Sequence, residues 1–459
     1  MKITRIRVPE FRALKNIDIT FEPDFTPNIF PLASLNGGGK STLLQLVFIL
    51  LKSLDANSEK KNIKYIENLF DFFSYPIIVQ GSRVIAQLNI EDELVEYDME
   101  FTFHVGKSIK SEDGNYLKFS PTHYYEYDFS IFQQKIEIQN KIDKTLQLKE
   151  KKIQEQENLK SAMLSNPIDI KNINKHLNKL ITEQTEILLK ENVLRQKLYE
   201  QKDVLIIAYF SKDDFLNILT CKLSIKSKTP KSININIDDS LGKIAKNIFL
   251  TMPSTQPILF LDRHQKEMLF QDRFDEYQLS LKEAKKYLQG FFTYSFLPVN
   301  LIQSFFDKVF NLDIQQAIET KGEYGNQYKQ LIEQMNCVLE NKIVNISPDR
   351  KTINFEMEDE NGNTRKLYPE DLSHGELKRL SIYLWLKYYD IKDAVVLMDE
   401  IEIAFHPDWQ YQIIRDLQEW GASNQYILAT HSYELCQALT PAHVKEISPN
   451  LLPSQENES

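Results

Sequence analysis

Ser34-Leu35-Asn36-Gly37-Gly38-Gly39-Lys40-Ser41-Thr42 lies between an apolar run, Ile29 to Leu35, and a segment of helical character, Leu43 to Leu54. Strand, glycine-rich loop and helix in that order are the context of a P-loop. Three consecutive glycines let backbone N–H groups point into a tight concavity for phosphate oxygens. Lys40 reaches the β and γ phosphates, and the Ser41 hydroxyl is placed to ligate Mg²⁺. Asn36, Gly37, Gly38, Gly39, Lys40, Ser41 and Thr42 are therefore the candidate residues for a nucleoside triphosphate. Ser34 stands where the G-x-x-x-x-G-K-[ST] pattern begins with glycine, so the loop turns there without the most permissive residue.

A second group of motifs follows 333 residues after Lys40. Leu372-Ser373-His374-Gly375-Glu376 precedes a helical pattern of Leu377, Leu380, Ile382, Tyr383 and Leu386. A serine hydroxyl and glycine N–H groups at a helix N-terminus form an anion site in their own right. Asp399 closes the apolar run Ala394 to Met398, and Glu400 follows it directly. A strand buried on both faces delivers such a carboxylate pair at its C-terminal end, where α/β sheets keep their ligand chemistry. Asp399 is then placed to hold Mg²⁺, directly or through water, and Glu400 to polarise the attacking water. A further apolar run, Tyr426 to Ala429, ends in Thr430-His431-Ser432, from which His431 can reach a γ-phosphate or that water. Each motif alone also describes an ordinary strand end or helix cap. Their order and their spacing, 26 residues from Ser373 to Asp399 and 32 from Asp399 to His431, fit one compact α/β unit.

The rest of the chain divides around an abrupt change in composition. Up to residue 130, alternating runs (Ile3, Ile6, Val8; Leu14, Ile17, Ile19, Phe21; Val84 to Phe103) predict strands beside the P-loop. Residues 131–203 contain no glycine and one proline, Pro167, and predict an antiparallel coiled-coil hairpin that reverses near Ser165-Asn166-Pro167. Ile170, Ile173, Leu177, Leu180, Ile187, Leu194 and Leu198 form its clearer seam, and each arm would extend roughly 50 Å. Those residues carry 14 Lys and Arg against 11 Asp and Glu, a balance of +3 within a net charge of -10. Solvated coiled-coil faces and nucleic-acid contact would both explain that balance. Residues 204–340 read as mixed and largely helical, with strand-like runs at Leu205 to Phe210 and Ile258 to Leu261 and with Leu281 to Phe310 and Ile314 to Leu339 mostly helical. Residues 341–459 hold alternating strands from Ile343 to Leu367, turned at Asn361-Gly362, and then the second group of motifs.

Composition excludes several classes. With 459 residues and 42% apolar content the chain can bury a large core, and its negative charge gives no general pull toward nucleic acid. Cys221, Cys337 and Cys436 lie far apart without metal-ligand spacing. The first residues enter a strand pattern with no signal-peptide core, and Gln45 and Lys52 interrupt the apolar run after Thr42. A cytoplasmic protein with no membrane partner is expected.

The set Ser34 to Thr42, Leu372 to Glu376, Val395 to Glu400 and Thr430 to Ser432 resembles the ABC-type ATPase heads of the SMC, RecF and OLD group, at both ends of the chain. The implied fold is an α/β ABC-type ATPase head, with mixed sheets and a P-loop, interrupted by a short antiparallel coiled-coil hairpin. Ile3-Thr4-Arg5-Ile6-Arg7 with Phe11-Arg12 also looks like that group's N-terminus, which implies that Arg12 approaches the nucleotide. Asp399-Glu400-Ile401-Glu402 running into Phe405-His406-Pro407 and Trp409-Gln410 looks especially like the OLD-related bacterial defence ATPases. With a short hairpin and no C-terminal extension expected, the chain is most similar to the Septu-type anti-phage ATPases, the PtuA family, including versions attached to retrons. This resemblance implies ATP and Mg²⁺ as cofactors, with Glu400 and His431 catalytic and Ser41 and Asp399 on the metal. It also implies a homodimer or higher oligomer in which Ser373, Gly375 and Glu376 close over the ATP of the partner subunit. A separate HNH nuclease (PtuB-like) is the implied partner, with a reverse transcriptase and its nucleic-acid product where a retron is present. The glutamine that senses the γ-phosphate in such heads stays open among Gln80, Gln87, Gln133 and Gln134.

The main alternative is an SMC/RecF-like ATPase of DNA repair or chromosome maintenance that clamps DNA between its heads. A transporter nucleotide-binding domain has no reason to carry a helical hairpin inside a 333-residue gap. An OLD nuclease cutting by itself would need a further metal-binding domain, for which the 28 residues after His431 are too few. No nuclease site of its own is therefore expected.

Overall fold

The computed structural model describes residues 1–34, 37–55, 65–66, 68, 81–110, 117–120, 204–212, 215–228, 237–256, 258–271, 273–294, 299–347, 352–358 and 363–447. Asn36, the expected hairpin over 131–203, the Asn361-Gly362 turn, Gln80, Gln133 and Gln134 lie outside the described residues. Two units are distinguished: Met1–Phe73 with Leu88–Glu96 and Ser227–Ser459, and Ser74–Gln87 with Tyr97–Lys226.

The first unit is organised by a six-stranded sheet. Its order is Phe291–Thr293, Ile248–Met252, Val395–Asp399, Gln425–Ala429, Ile29–Ala33 and Lys445–Glu446, and every neighbouring pair is parallel. Val395–Asp399 and Gln425–Ala429 are buried at every residue, which is why they read as continuous apolar runs. In register, Leu32 faces Ala429 and Ala429 faces Asp399, so Ser34, Thr430 and Glu400 leave the sheet along one edge, the one formed by the C-terminal ends of its parallel strands.

Helices cover the sheet. In Lys40–Lys52, Phe48 meets Phe260 and Phe291 at 6.2 and 6.3 Å between ring centres. In His374–Tyr388, every residue from Leu377 to Leu386 is buried, and Trp385 stacks on Phe292 at 5.3 Å. Arg379 in that helix forms a buried two-point pair with Asp416 of the helix Pro407–Trp420, at 2.6 and 2.9 Å. The antiparallel hairpin Lys2–Phe11 and Leu14–Thr20 turns at Arg12-Ala13. It is fastened to the parallel sheet by the Gln425 amide, which accepts from Ile3 N (2.7 Å) and donates to Ile3 O (2.8 Å). Ile343–Ile346, Ile353–Glu358 and Thr364–Leu367 form the antiparallel strands that the alternation predicts.

One expectation needs correction. Ile258 to Leu261 is not a strand but a buried turn. Its apolarity is real, yet the Leu259 N–H donates to the side chain of Gln45 instead of to a neighbouring strand. The span Leu281 to Phe310 is mostly helical, as expected, with one strand inside it. Helices Phe274–Tyr287 and Val299–Thr320 flank the edge strand Phe291–Thr293, which follows Gly290 at φ +89°. A Cβ at Gly290 would lie 2.9 Å from Ile248 O, so glycine permits the close approach that starts this pairing.

In the second unit, Val204–Lys212 pairs antiparallel with Phe215–Ser227, with an irregularity between Ile206 and Ala208. Val95–Lys110 pairs antiparallel with Leu117–Ser120. Gln87 donates to Glu100 at 2.6 Å. Among the described residues, no helix is long and apolar enough to cross a membrane.

Candidate active site

The P-loop strand ends at Ala33 and the chain turns through glycines that no other residue replaces easily. Gly37 and Gly39 have φ of +81° and +86°. Gly39 caps the helix Lys40–Lys52, and a Cβ there would lie 2.6 Å from Leu14 Cδ2 and 3.7 Å from Ala13 Cβ. The Arg12-Ala13 turn therefore leans on the loop, which brings Arg12, itself at φ +54°, into its neighbourhood.

Lys40 is only 5% exposed, and its Nζ contacts Ser34 O (3.3 Å), Ser34 Oγ (3.1 Å) and His431 Nδ1 (3.5 Å). Ser34 thus supplies a hydroxyl that the usual glycine could not. Burial lowers the Lys40 pKa, while the charges of Asp399, Glu402 and Glu400 act in the opposite direction. Ser41 Oγ donates to Asp399 Oδ1 at 3.0 Å. Asp399 is 1% exposed, and among the described residues its Oδ2 has no hydrogen-bond partner. Burial pushes its carboxyl up to about 7, opposed by the Ser41 hydrogen bond and reinforced by the charges of Glu400 and Glu402.

A hydroxyl beside a buried carboxylate with one unanswered oxygen fits Mg²⁺ held by few protein ligands together with phosphate oxygens and water. No group of three or more His, Cys, Asp or Glu among the described residues forms an all-protein metal cage.

Glu400 follows at φ +48°, with its N–H donating to Ala429 O at 2.9 Å. Its pKa is raised, by burial first and by Glu402 second, and its side chain is hydrogen-bonded to Gln256. Glu402 Oε1 accepts from His431 N at 2.7 Å, and so fixes the turn that presents the histidine to Lys40. Lys40, Ser41, Asp399, Glu400 and His431, far apart in the sequence, thus share one edge of the sheet. Thr42 is half-buried in the first helical turn.

Ser373, Gly375 and Glu376 lie elsewhere in their contacts. Ser373 caps the helix His374–Tyr388 in a reciprocal box with Glu376: Glu376 N donates to Ser373 Oγ (3.3 Å), and Ser373 N donates to Glu376 Oε2 (2.9 Å). Lys342 pairs with Glu376. None of these hydrogen bonds goes to the P-loop, and the Ser373 and His374 residues are exposed. Gly375 is buried, and a Cβ on it would meet Ala404 O at 2.8 Å and Trp409 at 3.2 Å.

Sequence reasoning missed Gln256 and Lys378. Gln256 lies four residues beyond the strand Ile248–Met252, at the same sheet edge, and that strand was itself unread. Lys378 sits beside Arg379 inside an apolar helical pattern, where two adjacent basic residues read as a solvated face.

The family described as "AAA domain, putative AbiEii toxin, Type IV TA system" matches residues 207–437, about half of the chain. The match takes in the signature segment, Leu372 to Glu376, together with Asp399-Glu400 and His431, but not the P-loop. A "Retron Ec83 probable ATPase" of Escherichia coli is 35% identical over 51 residues, 11% of this chain and 9% of that protein. A "Retron Vc95 probable ATPase" of Vibrio cholerae serotype O1 biovar El Tor is 36% identical over 55 residues, 12% of this chain and 11% of that protein. Each match therefore spans about a tenth of the relative's length. Among solved structures, the Smc head domain of Pyrococcus furiosus aligns over 95% of this chain and 91% of its own, at 10% identity and a TM-score of 0.28. That of Pyrococcus yayanosii aligns over 95% and 93%, at 11% identity and a TM-score of 0.33.

Proposed function

The chain belongs to this AAA-domain family, and from that premise we propose that it binds and hydrolyses MgATP at the edge of its parallel sheet, as an ABC-type ATPase head. The observation that carries this is the joining of three distant segments: Ser41 Oγ is 3.0 Å from Asp399 Oδ1, and Lys40 Nζ is 3.5 Å from His431 Nδ1. The loop glycines and the helix N-terminus would cradle the phosphates, and Lys40 would exchange its Ser34 contacts for phosphate oxygens. Ser41 and Asp399 would hold Mg²⁺, which when bound neutralises charge on the phosphate oxygens. Glu400 would accept the proton of the attacking water, a role supported by its pKa, which burial raises. His431 is held at the phosphate end by Glu402.

The same reading extends to assembly. The exposed Ser373 end of its helix supports a dimer in which Ser373, Gly375 and Glu376 complete the partner's ATP site in trans. The partial likeness to two retron ATPases supports a role in bacterial anti-phage defence. There the ATPase would regulate a separate HNH nuclease, with a reverse transcriptase and its product in a retron context.

Lys40→Ala tests the site itself. Removing a nearly buried ammonium with charge-assisted contacts to phosphate should weaken MgATP binding by roughly 100-fold or more. Titration calorimetry on a variant with an unchanged circular dichroism spectrum reads this, and wild-type affinity would remove the loop from the site.

A further inference from the structure

Glu400 aims its carboxylate from a backbone conformation that a side chain disfavours, φ +48°. The turn that follows ends at Ala404, which is left-handed as well at φ +71°. The signature helix His374–Tyr388 holds both ends of this turn. Lys378 Nζ donates to Glu400 O at 2.9 Å and to Ile403 O at 3.0 Å. One helical turn earlier, Gly375 packs against Ala404 O. Lys378 is 1% exposed, and its ammonium lies 4.0 Å from the centre of the Tyr294 ring and 5.5 Å from that of Phe405. A buried ammonium is costly unless its hydrogens are answered. Here they are answered by two carbonyls of the turn that carries the proposed base, with two ring faces beside them.

We infer that Lys378 is a positioning residue for ATP hydrolysis: it clamps the Glu400–Ile403 turn to the signature helix and so fixes the direction of the Glu400 carboxylate. Its ammonium acts through the backbone of that turn, by the two carbonyls it bonds. The inference rests on the ATPase reading above and adds to it a residue that no motif marks. It also joins the helix that would seat on a partner's nucleotide to the base of the same subunit.

The test is a double-mutant cycle on the full chain. Lys378→Met keeps the bulk of the side chain and removes the donors. It should leave MgATP affinity within about twofold and slow single-turnover hydrolysis by about tenfold. Lys378→Arg, which retains donors for both carbonyls, should recover part of the rate. In a Glu400→Gln background, already slow, Lys378→Met should cause no further loss, because the group it positions has lost its function. Equal slowing in both backgrounds, or unchanged single-turnover hydrolysis by Lys378→Met, would overturn the inference. If Lys378→Met does not fold, Lys378→Gln, with a shorter donor, takes its place in the same cycle. Absence of ATP turnover in the wild type would defeat the ATPase reading and the inference together. Normal wild-type turnover with an additive cycle would defeat the inference alone.

Discussion

Ser34 shows how a departure from a motif can be compensated by the residue that departs. Its hydroxyl and carbonyl both receive Lys40, so the ammonium is held within the loop at the start of the helix. Such roles depend on tertiary placement, which explains why some residues were legible and others were not. Lys40, Ser41, Asp399 and Glu400 stand at fixed offsets in their own motifs. Glu402 was visible only as a third carboxylate beside them, and nothing local announced its bond to His431 N. The same limit applies to His104 in the second unit, whose ring nitrogen lies 2.9 Å from Thr220 Oγ1. Burial pushes its pKa down to about 4 from an ordinary 6.5. Because the unfolded chain binds the proton more readily, His104 stabilises the fold fully above pH 6.5, and that contribution is lost as pH falls toward 4. By pH 5 the loss amounts to about 2 kcal/mol. Urea unfolding at pH 7 and pH 5 should therefore show a smaller difference for His104→Gln than for the wild type. Equal differences would mean that His104 is protonated as easily in the fold as outside it.

Among elements, the strands Val395–Asp399 and Gln425–Ala429 were legible because burial on both faces demands unbroken apolar runs. Ile248–Met252 and Phe291–Thr293 were not, because both are set among helical patterns and the second is only three residues long. The run Ile258 to Leu261 misled for the complementary reason: apolarity reports burial, while strand pairing needs backbone partners that Gln45 takes instead. The signature helix was readable from its serine and glutamate, which form the reciprocal cap, but the function of its glycine was not. Gly375 is placed by packing: an added Cβ would come within 2.8 Å of a backbone oxygen and 3.2 Å of Trp409. Neither neighbour is the loose end of a flexible side chain. Gly375→Ala should accordingly cost about 1–3 kcal/mol by overpacking and lower the thermal midpoint in the absence of any nucleotide or partner. An unchanged midpoint would show that the helix end shifts freely. The substitution therefore reports on the fold of one subunit before it reports on an interface, and Ser373, which is exposed, is the better probe.

At the scale of the whole molecule, strands from residues 29–33 and from residues 248–446 build one sheet, so a long insertion separates the two halves of the proposed nucleotide site. Within one chain the reciprocal Ser373–Glu376 hydrogen bonds close on the end of their own helix, while Lys40, Ser41 and Asp399 gather at the sheet edge. Two composite sites in a dimer would unite them, and this can be tested by complementation. Ser373→Arg places a long side chain at an exposed helix end and removes a cap worth about 1 kcal/mol, a modest cost to the subunit itself. At the partner's nucleotide it would obstruct closure. Lys40→Ala disables binding in its own subunit. When the two variants are mixed, each heterodimer has one composite site with both lesions and one with neither. Mixing should then restore ATPase activity that each variant lacks alone, up to about half of the wild-type rate per heterodimer if the intact site works independently. A signature acting within its own chain gives no rescue, since every site then carries one lesion. The decisive result is therefore ATP turnover in a mixture shown by native mass measurement to contain heterodimers: recovery supports the trans arrangement, and continued inactivity removes it.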